Sequence, residues 1–167
     1  MSRLAALLAL CAGCFTSTEL EDSGDAGFVD MRRPDTARPA PGTLVAAFSG
    51  RTDRTDEAWF RPFRCEPETS TGELHPYVVE TFENTTSFDL SVDILVDWSF
   101  DGFLHVYRSF DPATPSESCI DSNDDFMSTS QSLVEGISVP RGTSIDLVLS
   151  SFRAFDSGQY DVFITVR

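Results

Sequence analysis

The side chains best suited to hold an ion lie in one acidic segment of this sequence. Asp121, Asn123 and Asp125 alternate there, and Asp124 adds a further oxygen donor. Calcium takes about six to eight oxygen ligands and is commonly held by loops of this composition. The segment therefore predicts a calcium site that includes these four residues.

The alternative for these residues is a turn in which the side chains serve the backbone. Asp and Asn side chains accept hydrogen bonds from nearby backbone N–H groups and so stabilise tight turns. The segment lacks the glycine and the distal glutamate of an EF-hand loop, and a calcium shell would need a further donor such as Asp101 or Asp111. Both interpretations stay open, and the sequence predicts no other cofactor.

Residues suited to catalysis are few. The chain has two histidines, His75 and His105, and neither stands in a sequence context that would make it a general base. The sequence also lacks a serine nucleophile motif, a glycine-rich phosphate loop and a pair of metal-binding histidines. We therefore expect a protein that is not an enzyme.

The first residues have the pattern of an export signal. Arg3 precedes a short apolar run over residues 4–10, and the small residues Ala12 and Gly13 stand before Cys14. A basic residue, a short apolar core and small residues at a cleavage site are typical of a secretory signal. Ala12-Gly13-Cys14 resembles the lipobox of bacterial lipoproteins, in which cleavage before the cysteine is followed by its diacylation. The resemblance implies that Cys14 carries a lipid.

This resemblance also implies a location and a first partner. Residues 1–13 would be removed as a signal peptide, and the lipid on Cys14 would anchor the chain to a membrane of the cell envelope. Phe15 follows the cysteine, whereas an Asp there would resemble a signal for retention in the inner membrane. An outer-membrane location is therefore favoured. The alternatives are secretion without a lipid, and a misplaced start or a cytoplasmic protein.

Two cysteines, Cys65 and Cys119, remain in the exported part of the chain. An oxidising compartment favours a disulfide between two such residues. Closing a loop of this length would stabilise the fold by about 4 kcal/mol on the chain-entropy model. The alternative is a pair of free thiols.

The net charge of −15 excludes one class of partner. An acidic chain without a basic cluster repels a phosphate backbone, so we expect no nucleic-acid binding. The acidity leaves cations and basic partners open, although solubility alone is its simplest explanation.

The chain divides into a tether and one domain. Residues 14–42 are polar and rich in proline, and they show no sustained apolar periodicity. Such a segment cannot bury enough apolar surface to offset the entropy of ordering it. We therefore expect a disordered N-terminal tether, followed by a single domain over residues 43–167.

The domain is organised around residues 88–98, where apolar and polar residues alternate almost strictly. A period of two is typical of a strand with one buried face. Further short strands are predicted near the following residues: 44–48, 58–64, 77–82, 103–107, 132–139, 145–149 and 160–166. About eight strands without an amphipathic helix predict an all-β fold, an antiparallel jelly-roll-like β-sandwich.

The turn at Asp101-Gly102 raises a question of register. A two-residue hairpin there would pair Trp98 with His105 on one face and would turn Leu104 away from the core. Either the loop is longer or the chain changes sheets at this point, and we favour the change of sheets because jelly-roll-like folds make it often.

Four aromatic residues, Trp59, Phe60, Phe63 and Trp98, could form a platform for sugars. The alternative is that they belong to the core, which is the commoner place for aromatic residues on strands. Trp98 has the parity of the core residues in its strand.

Several short motifs between residues 77 and 167 resemble those of bacterial pre-peptidase C-terminal domains. They are Asp101-Gly102-Phe103-Leu104-His105-Val106-Tyr107, Phe110-Asp111-Pro112, Asn123-Asp124-Asp125, Arg141-Gly142-Thr143 and Gly158-Gln159-Tyr160. The resemblance implies a jelly-roll-like sandwich of the kind found on secreted and surface proteins. It implies no peptidase activity and no particular ligand.

Two functions are consistent with these features. The first is a monomeric surface module that binds or adheres to a protein or carbohydrate partner. The second is a structural envelope lipoprotein with no small-molecule ligand. Solvent-exposed aromatic side chains beside the acidic segment would favour the first function.

Overall fold

The computed structural model describes residues 37–66, 70–128 and 130–167. The predicted signal peptide, the predicted lipidation site Cys14 and most of the predicted tether lie outside these residues. The described part of the chain forms nine β-strands and no α-helix, arranged in two antiparallel sheets. The predicted all-β sandwich is confirmed.

The strands account for most of the chain after residue 43. They are β1 (Leu44–Thr52), β2 (Ala58–Pro62), β3 (Ser70–Glu83), β4 (Leu90–Trp98), β5 (Gly102–Tyr107), β6 (Cys119–Asn123), β7 (Gln131–Val139), β8 (Ser144–Ser151) and β9 (Gly158–Val166). One sheet has the order β1-β9-β4-β7, and the other has the order β2-β3-β8-β5-β6.

The chain passes back and forth between the two sheets. Every connection crosses from one sheet to the other except β2–β3 and β5–β6. This interleaving of two antiparallel sheets is the jelly-roll arrangement, with β2 added as an extra edge strand. The change of sheets predicted at Asp101-Gly102 is confirmed, because β4 and β5 lie in different sheets.

The main core lies between the sheets and follows the alternation of β4. The apolar residues of that strand are buried: Leu90, Val92, Ile94, Val96 and Trp98. Inward residues of β5, β8 and β9 pack against them. Each large aliphatic side chain buried in this way contributes about 1.5–3 kcal/mol, so the alternating pattern also fixes the register of the strand.

The five-stranded sheet is covered on its outer face as well. All six residues of β5 are buried, although alternate side chains of a strand point to opposite faces. Leu104 and Val106 belong to the main core, whereas Tyr107 packs outside the sheet with Trp59 and Tyr77. Trp59, Tyr77, Tyr107 and Val148 form this second layer, in which Trp59 of β2 packs over the outer face of the sheet.

Strand β6 corrects the sequence prediction, which placed no strand between Tyr107 and Ser132. The strand is polar and lies at the edge of its sheet, where it pairs with β5 alone. Ile120 is its single aliphatic residue and packs against the main core. With so little apolar content the strand has no alternating pattern, so its sequence is typical of a turn.

The last residues of the predicted tether contact the sandwich. Arg38 donates a hydrogen bond from Nη2 to the carbonyl oxygen of Asp89 at 3.3 Å. The backbone N–H of Gly42 donates to the carbonyl oxygen of Val166 at 2.7 Å. These bonds fix the direction from which the chain enters β1.

Candidate functional site

A pocket of about 410 Å³ opens on the outer face of the five-stranded sheet. Residues 63–66, which follow β2, form one side of it. Phe103 of β5 and residues 120–124 of β6 and its C-terminal end form the rest. The volume falls within the range of about 300–1,000 Å³ that is typical of small-molecule sites.

Two aromatic rings form a corner of this pocket. The ring centroids of Phe63 and Phe103 are 6.5 Å apart, and the ring planes are inclined at 64°. Phe103 is only 2% exposed and has the guanidinium of Arg61 over its ring, whereas Phe63 is 44% exposed. The pocket therefore presents an accessible aromatic wall.

A disulfide joins the two sides of the pocket. Cys65 follows β2 and Cys119 begins β6, and their Cα atoms are 5.3 Å apart. The predicted pairing of these cysteines is confirmed. Because Cys65 lines the pocket and Cys119 stands next to the lining residue Ile120, the bond holds the loop that carries Phe63 against β6.

The acidic residues of the predicted calcium site serve the backbone in this structure. Oδ1 of Asp121 accepts from the N–H of Ser122 at 2.8 Å, and Oδ1 of Asp124 accepts from the N–H of Asp125 at 3.0 Å. Asn123 donates from Nδ2 to a main-chain carbonyl of β7 at 2.9 Å. Asp121 and Asn123 lie within strand β6, and only Asp124 stands in a bend after it.

The further calcium donors considered from the sequence are placed differently. Asp111 accepts from the N–H of Ala113 at 2.9 Å in its own loop. Burial raises the pKa of Asp101, and the nearby carboxylate of Asp125 raises it further. Within the described ranges no group of three or more His, Cys, Asp or Glu side chains is placed to hold a metal ion. A calcium site stays a prediction.

A buried guanidinium lies behind the aromatic floor of the pocket. Arg61 is 1% exposed and donates from Nη2 to the carbonyl oxygen of Phe152 at 3.1 Å. Its Nε and Nη1 atoms have no hydrogen-bond partner in the described part of the chain. Burial lowers the pKa of Arg61 to about 10, while the carboxylates of Asp124 and Asp101 favour its charged form.

The two histidines are buried in the same layer and face away from solvent. Nδ1 of His75 lies 3.1 Å from the carbonyl oxygen of Ser151, and Nε2 of His105 lies 3.1 Å from that of Pro62. A carbonyl only accepts, so these nitrogens carry the proton of a neutral imidazole. Burial lowers the pKa of His105 to about 3 and also lowers that of His75, with the charge of Arg61 as the next cause.

The four aromatic residues weighed as a sugar platform are separated in the structure. Trp59 and Trp98 are 2% and 6% exposed and belong to the second layer and the main core. Phe60 is exposed but has the opposite parity to Trp59 on β2, so it points away from the outer layer. Only Phe63 reaches the pocket.

The sequence analysis did not single out three residues in or behind the pocket: Arg61, Arg64 and Phe103. A signal for one of them was present, since Trp59 and Arg61 share one parity and both face the outer layer. Arg64 lies beside the exposed wall, with its guanidinium carbon 5.8 Å from the ring centroid of Phe63. Nothing in its local sequence distinguishes it from an ordinary surface arginine.

No helix in the described part of the chain is long and apolar enough to span a membrane. Comparison of the chain with models of known protein families gives no match, and a search of curated proteins finds no similar sequence either.

Proposed function

We propose that this chain is a lipid-anchored protein of the cell envelope, favoured in the outer membrane, whose sandwich is a non-catalytic binding module. The pocket beside Phe63 is its binding site. The observation that carries this proposal is the position of Phe63, which is 44% exposed and lines the same pocket as Asp124. An exposed aromatic ring next to the acidic segment is the feature expected of a binding module.

The surroundings of the histidines support a non-catalytic role. His75 and His105 are 1% and 0% exposed, and each holds its proton on a nitrogen that faces a carbonyl. A general base must reach a proton on the substrate. A ligand in the pocket would meet the carboxylates of Asp121 and Asp124, the guanidinium of Arg64 and the ring of Phe63.

The anchoring half of the proposal rests on the resemblance of the N-terminal segment to a lipobox. It is tested by expressing the full-length protein and its Cys14→Ala variant in a bacterial host. Mass spectrometry of the membrane fraction should find the wild-type protein without residues 1–13 and with a lipid on Cys14. The variant should leave the membrane fraction. Equal membrane association of both forms would contradict the anchor.

The binding half is tested with fluorescently labelled full-length protein on whole bacterial cells and on purified cell-surface polymer. We expect saturable binding that falls at least tenfold in Phe63→Ala. The matched control is Phe60→Ala, because Phe60 is 54% exposed and lies outside the pocket lining. Binding that is absent, or that both variants weaken equally, would favour the structural envelope protein.

A further inference from the structure

We propose that the pocket binds a neutral carbohydrate, with one sugar ring packed on Phe63 and its hydroxyl groups held by the polar rim. This inference rests on the proposed binding function and adds the chemical class of the ligand. Three properties of the pocket lead to it: an exposed aromatic wall, atoms of Asp121, Asp124 and Arg64 that make no hydrogen bond within the described part of the chain, and a lining charge that disfavours anions.

The first property is the aromatic wall. Phe63 keeps 44% of its surface in contact with solvent although Phe103 lies next to it. Arg64 lies on the Phe63 ring at 5.8 Å but leaves it accessible. A flat apolar surface inside a polar pocket matches a sugar ring, which has an apolar C–H face and a polar edge of hydroxyl groups.

The second property is the state of the rim. The described residues engage Asp121 and Asp124 through Oδ1, and no hydrogen bond within that part of the chain uses Oδ2 of either residue. The guanidinium of Arg64 likewise makes no hydrogen bond or ion pair with a described residue. A hydroxyl group both donates and accepts, so adjacent sugar hydroxyls can satisfy the carboxylates and the guanidinium together.

The third property is the charge, which argues against an anionic ligand. The carboxylates of Glu66, Asp121 and Asp124 line the pocket, but two guanidinium groups lie near them. Arg64 is at the rim, and Arg61 lies behind Phe103, where Asp124 favours its charged form. Three carboxylates and the single guanidinium of Arg64 line the pocket, so an acidic sugar would be repelled, whereas a neutral polar ligand meets both donors and acceptors.

The direct test is a glycan array probed with the full-length protein, followed by titration calorimetry with the best neutral oligosaccharide. We expect a neutral glycan to bind and its affinity to fall at least tenfold in Phe63→Ala but stay within twofold in Phe60→Ala. Asp121→Asn, which keeps an acceptor for Ser122, should weaken binding several-fold. Thermal melts of the three variants establish that each one is folded.

Two results would overturn the carbohydrate assignment. One is the failure of every neutral glycan to bind, and the other is binding that Phe63→Ala leaves unchanged. Titration with hexalysine tests the competing class, and binding of that peptide in place of glycans would also overturn it.

Cells treated with periodate, which cleaves vicinal diols, separate the two proposals. Loss of binding to treated cells supports a carbohydrate. Binding that persists on treated cells and still depends on Phe63 would refute the carbohydrate while leaving the binding module intact.

Discussion

The guanidinium carbon of Arg61 lies 4.1 Å from the centroid of the Phe103 ring. The ring of Phe103 therefore contacts the buried cation and also lines the pocket. Phe103 also stacks on His105 at 4.5 Å between ring centroids. A change in this buried cluster should consequently be felt at the pocket, and a change at the pocket should be felt in the cluster.

Replacing Arg61 should separate its packing from its charge. Truncation by Arg61→Ala leaves a cavity and removes the contact with Phe103, so we expect the free energy of unfolding to fall by about 3 kcal/mol. Arg61→Met fills a similar volume without burying a charge that is only partly hydrogen-bonded, and should cost less than about 1 kcal/mol. Urea unfolding measures both values. Equal losses would show that the charge itself stabilises the fold.

Acidification should destabilise the fold below about pH 6.5. An imidazole in the unfolded chain has a pKa near 6.5, whereas burial lowers the pKa of His105 to about 3 and lowers that of His75. The unfolded state therefore takes up protons first as the pH falls. Stability is full above that pH and is lost as the pH falls towards the folded pKa, by about 2 kcal/mol at pH 5 from His105 alone.

Urea unfolding at pH 7 and pH 5 measures this dependence. His105→Gln serves as the control, because it removes the titrating group at the larger of the two shifts and should reduce the pH dependence. A wild-type stability that is equal at the two pH values would contradict the buried, neutral state of both histidines.

Reduction of the Cys65–Cys119 disulfide should weaken both the fold and the pocket. The bond spans 54 residues, and its loss should lower the free energy of unfolding by about 4 kcal/mol. Unfolding measured with and without dithiothreitol gives this difference. The variant with Cys65→Ser and Cys119→Ser should not respond to the reductant. A wild-type protein that is equally stable in both conditions would show that the bond does not constrain the fold.

Calcium should leave the melting temperature of the full-length protein unchanged. Within the described residues no group of three or more His, Cys, Asp or Glu side chains is placed to hold a metal ion, so we expect the same melt with millimolar calcium and with chelator. A ligand that binds only the folded state would raise the melting temperature. A rise that is lost on changing Asp124 and Asp125 to Asn would establish the predicted calcium site.

The elements predicted from the sequence are those whose pattern is set by a single buried face. Residues 88–98 show this best, because the alternation of β4 matches its position in the main core. The change of sheets at Asp101-Gly102 could also be predicted, because a two-residue hairpin would have turned Leu104 away from the core. Both inferences need only the buried face of one strand and residues that lie close together in the sequence.

The pocket could not be predicted by the same argument. Its sides come from residues 63–66 and 120–124, which are distant in sequence and meet through a disulfide and the order of strands in the sheet. Strand β6 carries mainly polar residues because it is an edge strand, so its sequence favours a turn. Arg61 shares the parity of Trp59 on β2, but its burial depends on residues of other strands that cover this face, which the sequence of β2 does not show.

The position of β1 at the edge of its sheet sets how the molecule should respond to force. This strand is hydrogen-bonded to β9 alone, from Leu44 opposite Thr165 to Thr52 opposite Gly158. A pull on the preceding chain acts on the hydrogen bonds of Arg38 and Gly42 and then on this ladder. The pocket belongs to the other sheet, and its two sides are joined by the disulfide. Single-molecule stretching from the N-terminus should therefore detach β1 in an early step, before the sheet that carries the pocket unfolds.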